Sequence, residues 1–377
     1  MKILILTCKT GQGHNSSASA IKEAFEKRGV ECEIKDAFAF VSKLGSKMLE
    51  KCFTTVYRSM PGLWDNMYSK ADKKPGIVKL SYSLGRRVLP GSRPLRRYIE
   101  KNGFTHVICV HILPAVMITE MNKKRPLGVT TSFLHTDYTY YPFTEKTDMD
   151  LYFLAHEGLS ELFLSQGIGE DRQVATGIPV RGAFLAEGRS RSSARGELGL
   201  PEDAKVVFMM GGSMGCGPIQ ALVQSISKLF GDDLRLLVSC GTNEKLLNAL
   251  KKLHDGRIQP FRYSDNIPTI MSATDLFITK PGGISITEAG VMGVPMLLLN
   301  VVGGCETPNY EFFTSRGFAF GASDVDDAAR KCVELLSDSA RLAEQSKFVY
   351  SELHRNSAED ICEAVMSLEK SEALVAR

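Results

Sequence analysis

Three glycine-rich turns and one short loop hold the residue types in this sequence that could do chemistry. Gly11-Gln12-Gly13-His14 sets two glycines and an imidazole between an apolar run and a helical pattern. Glycines there let another molecule approach the backbone closely. The helix start offers free N–H groups and a positive dipole to an anion, and His14, titrating near neutral pH, is a candidate general base. A tight strand–helix turn with a capping histidine would use the same residues. Ser16 stands where a dinucleotide fingerprint needs its third glycine. The second turn, Gly211-Gly212-Ser213-Met214-Gly215-Cys216-Gly217, has four glycines in seven residues, which suggests backbone approach to a ligand. It lacks the Gly-Lys-Ser/Thr of a P-loop.

The third turn is the most specific. In Lys280-Pro281-Gly282-Gly283-Ile284-Ser285-Ile286-Thr287-Glu288-Ala289-Gly290, Gly282 and Gly283 would bare a helix N-terminus for a diphosphate. Glu288, about one turn in, can accept both hydroxyls of a ribose diol. Downstream, Gly304-Cys305-Glu306-Thr307-Pro308-Asn309 places a carboxylate and an amide on a loop, where they can grip sugar hydroxyls. Further candidates lie in the first half. His111, with Pro114 after it, follows an apolar run, and Asp137 beside His135 could orient a base or an acceptor. Two Asp-x-Asp pairs, Asp148/Asp150 and Asp324/Asp326, read as structural rather than metal-binding. The second precedes a helical stretch, where acids complement the dipole, and the first precedes a strand instead of ending one.

These residues need a scaffold, and the hydropathy pattern supplies it. Strands are predicted at 2–8, 30–35, 105–110, 129–134 and 151–155, then at 205–210, 234–239, 275–279 and 295–299. Short continuous apolar runs of this kind suit parallel strands covered on both faces. Helices are predicted between them, at 217–230, 243–254, 284–293 and 325–337, with terminal helices over 338–369. The first helix carries Ile21, Ala24 and Phe25 on one face, with Asn15, Ser16 or Ser17 as its cap and Gly29 as its end. Residues 187–199 read as a linker or solvated helix. Alternation of strand and helix in both halves predicts two doubly wound α/β domains. They would meet near residue 180 and form a cleft at the carboxyl ends of their strands, where ligands bind in such sheets.

The composition is that of an ordinary folded chain: 377 residues, a net charge of +3, 44% hydrophobic and 24% charged. This excludes disordered and low-complexity classes. Nine cysteines, with no Cys-x-x-Cys or zinc spacing, read as reduced thiols of a cytosolic protein. No apolar run reaches the roughly 18–20 residues of a membrane helix, and the amino terminus is too short in apolar residues for a signal peptide. Residues 42–101 stand apart, with 14 Lys/Arg against 4 Asp/Glu and interleaved Phe53, Tyr57, Trp64, Tyr68 and Tyr82. This is either an insertion with a solvated basic face or a surface that docks on anionic membrane, where each basic residue contributes roughly 1 kcal/mol. No helix-turn-helix, zinc-finger or RNA-binding pattern accompanies it, so nucleic acid is not expected as a partner.

Taken in order, TGQGHNSSASAI (10–21), Thr136-Asp137-Tyr138, ATGIPV (175–180), MGGSMGCG (210–217), YSDNIPTIMSATDLFITKPGGISITEAGVMGVP (263–295) and GCETPN (304–309) give a resemblance. The chain resembles the monogalactosyldiacylglycerol synthase and processive diacylglycerol glucosyltransferase family. It is more distantly similar to the UDP-N-acetylglucosamine transferase of peptidoglycan lipid synthesis. The resemblance implies a GT-B glycosyltransferase of two facing Rossmann-like domains, inverting by in-line displacement and needing neither cofactor nor metal. It implies that Glu288 holds the ribose of a UDP-sugar and that Tyr263 to Ile267, including Asn266, line the uracil. Gly212, Ser213 and their loop, with Gly282 and Gly283, would hold the diphosphate, while Glu306 and Asn309 contact the sugar. His14 would be the base for the acceptor hydroxyl, with Gly13, His111 and Asp137 on the acceptor side. The sequence departs from the family pattern at Cys305, where a Gln is usual, and at Tyr141, where a His is usual. Donor sugar and acceptor therefore stay open.

The expected protein is a cytoplasmic hexosyltransferase, peripheral on the inner face of the cell membrane, that joins a UDP-sugar to a lipid hydroxyl such as diacylglycerol. The expected domains are 1–180 for the acceptor, 181–345 for the donor, and 346–377 as helices packing back on the first. A soluble transferase for small molecules and a non-catalytic UDP-sugar-binding regulator are the alternatives.

Overall fold

The computed structural model describes residues 1–8, 12–40, 92–186, 188–300 and 306–375. Gly11, Gly304, Cys305 and most of the basic insertion lie outside the described residues. The chain divides into two compact units, Met1–Arg181 with His354–Arg377, and Gly182–Leu353.

The strands of the first unit are β1 (Lys2–Thr7), β2 (Glu31–Asp36), β3 (His106–Cys109), β4 (Thr130–Leu134), β5 (Leu151–Leu154) and β6 (Gln173–Ala175). The second unit has β7 (Lys205–Met210), β8 (Leu234–Ser239), β9 (Ile258–Phe261), β10 (Leu276–Thr279), β11 (Met296–Leu299) and β12 (Phe320–Ala322). The helices in chain order are α1 (Gln12–Lys27), α2 (Ser92–Asn102), α3 (Ile112–Lys124), α4 (Ser160–Ser165), α5 (Arg191–Glu197), α6 (Ile219–Ser227) and α7 (Glu244–Lys251). They continue with α8 (Ile267–Ala273), α9 (Gly283–Val291), α10 (Glu306–Ser315), α11 (Val325–Ser337), α12 (Ser339–Glu352) and α13 (Ser357–Val375).

Each unit is one six-stranded sheet, ordered β2-β1-β3-β4-β5-β6 and β12-β11-β10-β7-β8-β9. Every pairing within them is parallel. Strand order therefore reverses between β1 and β3 in the first sheet and between β7 and β10 in the second. The crevice outside the carboxyl ends of the strands at such a reversal is where doubly wound sheets bind ligands.

Most interior strands are built on apolar runs, Ile3 to Leu6 and Val206 to Met209 being fully buried, whereas β4 opens with Thr130, Thr131 and Ser132, themselves buried. The strands absent from the sequence reading, β6, β9 and β12, have three or four residues each and include three of the four sheet edges. An edge strand is covered less and needs no apolar run. Pro260 within β9 is tolerated because an edge does not need its N–H.

Three local expectations are corrected. Helix α1 begins at Gln12, so Asn15, Ser16 and Ser17 are inside it and do not cap it. The Asn15 side chain instead accepts a hydrogen bond from Thr7 Oγ1 at 2.9 Å, and Ser17 Oγ donates to the Pro179 carbonyl at 3.1 Å. Over residues 188–199 the helical alternative holds, less solvated than expected: α5 is mostly exposed and capped by Ser190, yet buries Ala194 and seats Arg195 against Asp275 at 2.7 Å. The segment returning to the first unit begins at His354 rather than 346 and holds one helix, α13, since α12 belongs to the second unit. Helix α13 then buries Ile361, Cys362 and Val365 in one cluster with Ala18, Ile21 and Phe25 of α1.

Gly290, in the most specific motif, has a packing role. A Cβ there would meet Leu353 Cδ1 at 2.2 Å and Val349 Cγ2 at 3.2 Å, so glycine is what lets α9 lie close to the end of α12.

Candidate active site

In the first unit β1 and β3 flank the strand-order reversal, and His14 in α1 and His111 at the cap of α3 come together. Ring centroids are 4.8 Å apart in an edge-to-face arrangement. His111 caps α3, its Nδ1 accepting from the Leu113 N–H at 3.1 Å. That bond leaves Nε2 to carry the proton of the neutral ring. His14 sits in the first turn of α1, half-buried, with Nδ1 3.2 Å from Thr136 Oγ1 and a ring N–H donating to the Val110 carbonyl. The two rings, Asp137, Thr136, Thr139 and Tyr141 line one partly open pocket whose enclosed space, about 20 Å³, is that of about one water. Gly13 adjoins it in the first turn of α1.

Burial lowers the His14 pKa to about 4, with the Val110 hydrogen bond opposing it. Burial, and then the neighbouring His14, hold His111 well below its ordinary range. His135, enclosed by Phe133 and Phe163, falls to about 3, again through burial. All three rings are therefore neutral at pH 7. A neutral imidazole can accept a proton from an attacking hydroxyl, which an imidazolium cannot.

The folded state resists protons that the unfolded chain takes up near pH 6.5, so this part of the stability is complete above that pH and is lost as pH falls toward 4. We expect the free energy of unfolding in urea to drop on going from pH 7 to pH 5, with about 2 kcal/mol of the drop due to His135 alone. In His135→Asn the slope over that interval should be shallower by that amount. An unchanged slope would mean that His135 is not buried neutral.

In the second unit the turns after β7 and β10 likewise flank the reversal. Not all glycines of 211–217 serve a ligand. A Cβ on Gly211 would lie 2.0 Å from the Cys216 carbonyl oxygen, and one on Gly215 2.2 Å from that of Cys240. These two bring turns of the protein together, and the Thr242 N–H donates to the Ser213 carbonyl at 3.0 Å across the same junction. Gly212, at φ +70°, faces the Lys280 side chain. Gly282 caps α9 without a side chain and Gly283 is its first residue, so the first-turn N–H groups are not covered by a capping side chain. Glu288 is buried one turn further on. Tyr263 and Asn266 are exposed ahead of α8, on the same edge of the sheet.

The loop expected to hold sugar is placed differently from a simple surface grip. Glu306 opens α10, buried, and forms an ion pair with Lys280. Asn309 is fully buried and donates from Nδ2 to the Pro281 carbonyl at 3.0 Å, so it fixes the turn that carries Gly282. Lys280 was within the motif, but nothing in one sequence reveals its approach to Glu306, 26 positions away.

Asp324 caps α11 by accepting from the Asp327 N–H, and Asp150 accepts from Thr131 N–H and Oγ1. Among the described residues no three His, Cys, Asp or Glu side chains gather as metal ligands, and no helix is long and apolar enough to cross a membrane.

Residues 14–180 match the monogalactosyldiacylglycerol (MGDG) synthase family, and residues 206–302 match the glycosyltransferase family 28 C-terminal domain. A processive diacylglycerol beta-glucosyltransferase of Bacillus cereus is 27% identical over 378 residues, covering 97% of this chain and 93% of that protein. Its namesake in Bacillus mycoides is 26% identical over the same shares. Among solved structures, MurG of Acinetobacter baumannii aligns with a TM-score of 0.66 at 13% identity, over 97% of this chain and 100% of that one. HepE of Anabaena in complex with UDP-glucose aligns at 0.58 and 15% identity, over 97% and 100%. A UDP-GlcNAc 2-epimerase from Neisseria meningitidis bound to UDP-GlcNAc aligns at 0.62 and 13%, over 97% and 100%. The structural likenesses establish the fold, GT-B with two Rossmann-like units. Since an epimerase shares it, fold alone does not give the reaction.

Proposed function

Because this chain belongs to the MGDG synthase family of glycosyltransferases, with a family 28 domain in its second half, we propose that it moves a hexose from a UDP-sugar to the hydroxyl of diacylglycerol. The observation that carries the reading is His14 set beside His111, Thr136 and Asp137 at the strand-order reversal of the first sheet. In the proposed step the acceptor oxygen attacks the anomeric carbon as His14 takes its proton. The bond to the UDP oxygen breaks on the opposite side, so configuration inverts. The leaving diphosphate is stabilised by the positive end of α9, with no metal assigned to it. Glu288 holds the ribose, Tyr263 and Asn266 the uracil, and Gly212, Ser213, Gly282 and Gly283 the diphosphate. His111 and Asp137 orient the acceptor.

Docking on anionic membrane at the inner face is part of the proposal. Of the segment 42–101, α2 is described, and it exposes Arg93, Arg97 and Lys101. Tyr141, which lines the pocket in place of the family's usual His, favours a second reading in which the acceptor is a small soluble molecule.

The test is incubation with UDP-glucose or UDP-galactose and vesicles of diacylglycerol and phosphatidylglycerol, followed by mass spectrometry of the lipids. Hexosyl-diacylglycerol is expected, formed faster at low salt. UDP release only with soluble acceptors would favour the second reading. Donor binding without turnover on any acceptor would leave a regulator.

A further inference from the structure

Lys280 and Glu306 form an ion pair at the mouth of α9, and no role in the reading above uses the lysine. The Lys280 side chain is 12% exposed and that of Glu306 4%. The ammonium lies where both candidate diphosphate turns converge: a Cβ on Gly282 would be 3.1 Å from Lys280 Nζ, and one on Gly212 would be 2.8 Å from Cε and 3.5 Å from Nζ. Glu306 Oε1 lies 4.0 Å from the same point beside Gly282. One cation and one anion thus occupy the space in front of the first turn of α9.

We propose that Glu306 is a stand-in anion: a nucleoside diphosphate takes Lys280 from it, and the released carboxylate turns to the hydroxyls of the donor's sugar. This rests on the donor-binding role proposed for the second unit. A buried ammonium needs a counter-anion, because burying it unpaired costs several kcal/mol. Glu306 fills that need. A diphosphate arriving at Gly282 and Gly283 brings more charge and meets the helix dipole as well, so it displaces the carboxylate. Glu306, left facing phosphate oxygens of its own sign, is relieved by accepting hydrogen bonds from sugar hydroxyls instead. Sugar recognition is then assembled only after the diphosphate is seated, and Lys280 positions both.

The opposing signs of the two variants give the test. Uridine and UDP are titrated calorimetrically into wild type, Glu306→Gln, and the double variant K280Q/E306Q, which removes both charges together and leaves no buried ion behind. Wild type should prefer UDP over uridine, and the double variant should keep uridine affinity while losing at least about tenfold of that preference. Glu306→Gln should bind UDP about three- to tenfold more tightly, since the competing anion is gone. K280R, which keeps the charge, should retain most of the preference if it folds.

An undiminished UDP preference in the double variant overturns the role of Lys280. Unchanged or weakened UDP affinity in Glu306→Gln overturns the exchange. Wild type that binds neither uridine nor UDP removes the donor reading itself, a result distinct from either.

Discussion

His14→Ala is expected to lower turnover at least about a hundredfold, the lower end of what a positioned general base supplies, while UDP affinity stays within about twofold of wild type. The reason is division of labour. His14 lies in the first unit with Thr136 and Val110 as its partners, while every residue assigned to the nucleotide lies in the second. With a pKa of about 4, the ring does not abstract a proton from a resting alcohol. It accepts the proton as the forming C–O bond makes the oxygen acidic. The pH profile of kcat should therefore lack the usual histidine limb near 6.5 and fall only toward pH 4. Steady-state turnover from pH 4 to 8, with calorimetry for UDP, checks both parts. Turnover unchanged in the variant would return His14 to a purely structural place at the start of α1.

Glu288→Ala should weaken UDP binding about ten- to a hundredfold, the worth of one or two charge-assisted hydrogen bonds at a buried site. The carboxylate is enclosed one turn into α9, with Thr287 beside it donating its hydroxyl back to the Gly283 carbonyl. A ribose assignment makes a sharper demand than loss of affinity. Wild type should lose a similar factor when UDP is replaced by its 2′,3′-dideoxy analogue, and the variant should lose little more. If the two losses multiply instead, Glu288 acts through the shape of α9 and not on the diol.

What could be read from one sequence follows the physics of burial. Interior strands are covered on both faces, so β1, β3, β5, β7, β8, β10 and β11 are written mostly in apolar residues, β4 adding its buried Thr130, Thr131 and Ser132, and their boundaries fell within a residue or so of expectation. The edge strands β6, β9 and β12 carry no such demand and left no pattern. The start of α1 was misplaced because Asn15, Ser16 and Ser17 are favoured cap residues by type. Here their hydroxyls and amide serve tertiary partners, Thr7 and Pro179 among them.

The candidate site divides in the same way. His14, Gly282 and Glu288 stand shortly after strand ends, so local pattern is enough to propose them. The use of Gly211 and Gly215 for turn-to-turn contact, of Asn309 to hold Pro281, and of Lys280 against Glu306 depends on residues far apart in the chain.

The return of α13 to α1 has a consequence for biosynthesis. Residues 354 onward complete a hydrophobic cluster begun by residues 3–25, yet the ribosome makes them after all of Gly182–Leu353. The later-coded unit can fold while the earlier-coded one still exposes Ala18, Ile21 and Phe25 to the solvent. For that interval the nascent chain presents an oily helix face, the kind of surface that chaperones guard.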